Sequence, residues 1–192
     1  MIAKERSHFI LSVPGKTISG GLVTLLAAAY GSFSAEFIAN ALAGTLVTAG
    51  GGTDKEVHQA AKIAGVFAAL ASGVVALPLS IRNVNRKKDS SQFNFEVRHP
   101  FKAFIPALRD SFKSAVVALR GSGWAMIAAA FLGGSCAALV VTGHRLSILA
   151  SGTAGATGSA AGAAVTAWVT GLLEYPLRVA RAKARMVLNR TG

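Results

Sequence analysis

The chain is short of nearly everything that catalysis, metal binding or disulfide stapling requires. It has a single cysteine, Cys136, which excludes an intramolecular disulfide and a cysteine-rich metal site and leaves a small packing residue. The four histidines, His8, His58, His99 and His144, stand far apart, with no two at metal-ligand spacing. Neither a phosphate loop nor a Ser-His-Asp arrangement is visible, and catalysis needs convergent titratable groups. The sequence therefore reads as non-enzymatic, with no cofactor and no metal. Charged residues make up only 15%, against roughly 25% in soluble domains. Acids are scarcest: eight Asp and Glu face twenty Lys and Arg, for a net charge of +12. A nucleic-acid binder of that charge would need a basic face on a soluble fold with aromatics placed to stack. Here Trp124 and Trp168 both lie inside apolar runs, so nucleic acid is not an expected partner.

What the chain has is apolar length. Hydrophobic residues reach 52% and the mean hydropathy is +0.50, more than soluble packing needs and what a bilayer requires. Residues 1–16 form a basic segment whose apolar piece, Phe9 to Val13, is too short for a secretory signal, so targeting information is expected to be internal. The rest, 17–192, reads as one all-α membrane domain. Four transmembrane helices are expected over about 17–48, 57–80, 121–143 and 146–175. Pro78 is expected to kink the far end of the second. Over 100–119, Phe101, Phe104, Ile105, Leu108, Phe112 and Leu119 share one helical face, with Lys102, Arg109, Asp110 and Lys113 largely on the other. That pattern predicts an amphipathic helix on the membrane surface. In the last span Ala154, Gly158 and Gly162 form a small-xxx-small series, the mark of a helix-packing face in lipid.

Cations fix an orientation. Residues 1–16 hold three Lys and Arg, residues 82–120 nine and residues 178–190 five, whereas the turns at 49–56 and 143–146 hold one each. Four spans with both termini on the positive side satisfy the positive-inside rule.

Two ionisable residues fall inside apolar spans, where a charge costs about 2.5–3.5 kcal/mol on insertion scales. Glu36 and Lys62 stand at similar distances from the turn centred near Gly50, which predicts an intramembrane ion pair; the alternative is that each snorkels separately. The ladder Arg178, Arg181, Lys183 and Arg185 is first a positive-inside flank. Its functional reading is docking to anionic lipid such as cardiolipin, or to an acidic membrane-protein partner.

The chain also repeats itself. GVVALPLSIRNVNRKK from Gly73 and GLLEYPLRVARAKARMVLN from Gly171 place Pro78 and Pro176 98 residues apart. The ending LEYPLRVARAKAR resembles the signature of the mitochondrial carrier family. Pro176 matches its proline and Arg181 and Lys183 its cations, while Pro78 and Arg82 stand in the first copy. The resemblance implies a carrier-like repeat of 98 residues and a mitochondrial inner-membrane location with matrix-side termini. It also implies departures: the motif acid is Ser80 in one copy and Arg178 in the other, and four spans replace six. In the family that acid pairs with a cation to close the carrier, so a chain without it is expected to be a non-transporting accessory subunit of an inner-membrane complex, of the respiratory chain or ATP synthase type. The alternatives are a solute carrier that acts as an oligomer and a channel subunit. The last comes from a fainter resemblance to the small Gly-rich four-span proteins of the inner-membrane protein translocases.

Overall fold

The computed structural model describes residues 2–84, 104–106, 109 and 123–191. Five helices run along them: α1 (Ile2–Leu11), α2 (Val13–Ala49), α3 (Asp54–Val84), α4 (Gly123–Val141) and α5 (Arg145–Thr191). The last four are each long and apolar enough to cross a membrane. Among the described residues the protein is all-helical, and by length and composition its four long helices are consistent with a multi-pass membrane protein. Most of the expected amphipathic helix over 100–119 lies outside the described residues. Within it, Phe104 to Pro106 are helical, and the Phe104 ring meets Tyr175 of α5 edge-on, with centroids 6.0 Å apart.

Local chemistry explains where the helices begin and end. Ser12 caps α2 by accepting from the Gly15 amide at 3.2 Å, with proline in the first turn. Gly51, at φ 78°, ends α2, and the Gly52 amide reaches back to the Val47 carbonyl at 2.9 Å. That left-handed glycine with a long backward bond is a Schellman stop. Thr53 and Glu56 then form a capping box for α3: the Glu56 carboxylate accepts from the Thr53 amide at 2.8 Å and from its hydroxyl at 3.0 Å. Gly143, at φ 66°, plays the part of Gly51 between α4 and α5.

The two hairpins pack with α5 as the hub, touching α2, α3 and α4, while α4 rests on α5 and α3. The core is built almost wholly of small side chains. Ala35, Ala39, Ala43, Ala60, Ala64, Ala68, Ala150 and Ala154 are fully or almost fully buried, with Val47 the largest among them. Without a hydrophobic force between helices in lipid, close backbone approach and van der Waals contact do the holding. Several buried hydroxyls bond within their own helix, as where Thr166 donates to the Gly162 carbonyl at 3.0 Å, and Ser151 bonds across to α3.

Two features are set by the tertiary structure. The helix that carries the last expected span, 146–175, does not stop at Pro176: α5 is continuous through that proline for 47 residues, about 70 Å and more than twice a hydrocarbon core. A proline is tolerated where surrounding packing holds the helix, and Tyr175, Ala182 and Ala184 are all buried beside it. The 98-residue spacing, moreover, does not set the structural register. Ser151 donates to the Ala60 carbonyl at 3.3 Å, and Gly162 packs on Ser72. The parallel helices α3 and α5 are therefore level at an offset of about 91 residues, close to the 92 between Gly51 and Gly143. On that register Pro176 lies about two turns, ~10 Å, further out than Pro78. The two Pro-Leu endings are similar in sequence but not equivalent in depth.

Candidate functional site

Antiparallel packing sets the first part of the site. Asn40 lies over Gly65, and Ser32 over Gly73, so each step up α2 is matched by one down α3. At this register Glu36 faces position 69 and Lys62 faces position 43, a difference of seven residues or ~10 Å of depth. Side chains also lean toward the N-terminus of their own helix, which turns Glu36 toward the terminal end of the bundle and Lys62 toward the turn end. Both are exposed, and no ion pair joins them. The expected Glu36–Lys62 pair is thus not formed: the true centre of the hairpin lies beyond Gly50, between Gly52 and Thr53. We expect Glu36→Gln and Lys62→Met to be additive in a double-mutant cycle of unfolding in micelles. A coupling above about 0.5 kcal/mol would restore the pair.

Glu36 instead sits on the outer face of α2. Around it are Tyr30 (62% exposed), Phe33 (70%) and Phe37 (68%), continued toward the N-terminus by Leu26 and Leu22. This is a carboxyl group within an apolar ridge that no other described part of the chain covers. At Lys62 the case differs, since it stands about two turns inside α3 and its long stem leans toward the turn end.

The two turns meet. His144 Nε2 lies 3.2 Å from Glu56 Oε1, joining the start of α3 to the start of α5. Glu56 was not singled out from the sequence, although Thr-Asp-Lys-Glu at 53–56 spells a capping box.

At the opposite end α1, the start of α2 and the end of α5 converge. The Phe9 carbonyl of α1 lies where a side chain on Gly15 would stand, so only glycine admits this corner. Arg181 crosses from α5, its Nη2 donating to Ser19 Oγ at 2.9 Å and to the Lys16 carbonyl at 3.5 Å. Beneath it opens a cleft of about 330 Å³ lined by Phe9, Ile18, Leu22, Leu177 and Ala180. The cation ladder is thereby divided: Arg181 is half-buried against α2, whereas Lys183 and Arg185 are exposed and Arg178 is half-buried. Pro78 and Arg82 lie on the continuous α3.

The packing series is placed inside the bundle. A Cβ on Gly158 would stand 2.5 Å from the Ala35 carbonyl oxygen, and one on Gly162 2.5 Å from that of Gly31; Ala154 is fully buried one turn away. Among the described residues no three His, Cys, Asp or Glu come together as a metal site. Comparisons of the chain with protein-family models, curated proteins and solved structures find no match.

Proposed function

We propose that the chain is a non-transporting, non-enzymatic accessory subunit of a larger membrane complex. The observation that supports this best is Glu36, a carboxyl on the outer face of an apolar helix beside Tyr30, Phe33 and Phe37. An ionisable group on such a face is costly in lipid and is relieved by a neighbouring protein helix that brings a cation or hydrogen-bond donor. The core supports the same reading from the other side. Between α2, α3 and α5, alanines and glycines meet backbone to backbone, a filled interface rather than a lumen. Placement in the mitochondrial inner membrane, with the basic termini in the matrix and the respiratory chain or ATP synthase as host, rests on the resemblance of the Pro-Leu-cation endings alone. A glycine-packed hub joining two hairpins favours, as a second reading, a translocase-type channel subunit.

The purified chain in liposomes should neither exchange solutes nor leak. In its native membrane it should migrate on a native gel with an assembly far larger than its 19.6 kDa. Glu36→Leu should release it from that assembly while leaving its own unfolding temperature unchanged. Saturable solute exchange by the unmodified chain would overturn the proposal and favour a carrier acting as an oligomer.

A further inference from the structure

The cleft at the basic end has a specific composition: apolar walls and one guanidinium at the rim. Its lining comes from three helices, with Phe9 of α1, Ile18 and Leu22 of α2 and Leu177 of α5. A volume of about 330 Å³ lies in the range of small-molecule sites. Arg181 spends only Nη2 on the protein, donating to Ser19 and Lys16. Its Nε and Nη1 carry three further N–H donors that no acceptor among the described residues takes up. Lys16 is exposed on the same rim, and the surrounding segments 1–16 and 178–190 together hold eight Lys and Arg against one acid, Glu5. The cleft therefore combines a greasy slot with a fork of donors, at the end of the bundle where cations collect.

We infer that this cleft is a binding site for one anionic phospholipid, an acyl chain lying between α1, α2 and α5 and the phosphate on Arg181 and Lys16. A guanidinium presents paired donors in the geometry of a phosphate. An isolated phosphate or an acidic peptide would leave the apolar walls unused, and a zwitterionic lipid would bring a second cation to a rim already positive. Ser19 and the Lys16 carbonyl hold the guanidinium in place before the lipid arrives, which reduces the cost of ordering it on binding. The inference is independent of which complex the chain belongs to.

The test is native mass spectrometry of the full chain in neutral detergent, titrated with phosphatidylglycerol or with phosphatidylcholine of the same acyl chains. One phosphatidylglycerol should be retained in preference to phosphatidylcholine. Arg181→Gln should weaken phosphatidylglycerol retention about tenfold, the scale of a lost charge-assisted contact, and leave phosphatidylcholine unchanged. Ala180→Phe, which keeps the cation but fills the slot, should reduce retention as well. Circular dichroism of each variant separates loss of the lipid from loss of the fold. Equal retention of the two lipids by the unmodified chain would overturn the site. So would full retention by a folded Ala180→Phe, or displacement of the lipid by millimolar inorganic phosphate alone, which would make the slot irrelevant.

Discussion

Gly162→Leu should be among the most damaging single substitutions in the bundle, and Gly162→Ala should already be felt. A Cβ at this position would lie 2.5 Å from the Gly31 carbonyl oxygen, 2.5 Å from Ser72 Oγ and 2.6 Å from Ala35 Cβ. Two of the three obstacles belong to α2 and one to α3, so no rotation of α5 relieves one contact without worsening another. The Gly31 oxygen is backbone and cannot swing away. The helices must separate, and in lipid nothing hydrophobic pulls them back, since the tails are as apolar as leucine. A loss of about 3 kcal/mol, at the upper end of overpacking costs, is expected. Unfolding by denaturant in mixed micelles measures it. Gly21→Leu is the control: the same change on α2 meets nothing within 4 Å, and replacing a helical glycine should be neutral or slightly stabilising. Equal losses in the two variants would disprove the close approach of α2 and α5.

The second large effect is all-or-none. With Cys136 replaced by alanine, a charged thiol reagent added to one side of sealed vesicles should label Asp54→Cys and Arg145→Cys together. From the other side it should label Glu5→Cys and Arg185→Cys together. All four positions are exposed. The grouping follows from two contacts. Glu56 and His144, 3.2 Å apart, bring the turn ends of both hairpins to one level. Arg181 bonded to Ser19 brings the start of α2 and the end of α5 to the other. Labelling of Asp54→Cys and Arg145→Cys from opposite sides would mean an odd number of crossings between them and would remove the two-hairpin arrangement. The reagent side that reaches Arg185→Cys also decides orientation, which the positive-inside rule assigns to the cation-retaining compartment.

Several elements were legible in the residues because their causes are local. Four apolar runs of sufficient length become four helices, since an unpaired backbone group in a bilayer has no other remedy. The boundaries at Gly51 and Gly143 follow from the need for a left-handed residue to end a helix. The series Ala154, Gly158 and Gly162 was visible because spacing of four places small residues on one face. Its destination was not visible: spacing alone does not say that the face meets Gly31 and Ala35 rather than α4.

By itself, then, the sequence determined the helical class, the number of candidate spans and the end at which cations gather. Composition and hydropathy are sums over neighbours in the chain, and those features depend on nothing else. Tertiary structure decided register and continuity. Glu36 and Lys62 stand at similar distances from Gly50 along the chain, yet the fit of Asn40 over Gly65 and Ser32 over Gly73 sets them ~10 Å apart in depth. Proline interrupts a helix by local rule, but α5 continues through Pro176, with Tyr175, Ala182 and Ala184 buried beside it. Arg181 was one cation among four in the sequence. It became distinct only because the Gly15 corner lets α1 approach and places Ser19 within reach of its guanidinium. These outcomes depend on which surfaces touch, and contact between helices more than a hundred residues apart is absent from any local pattern.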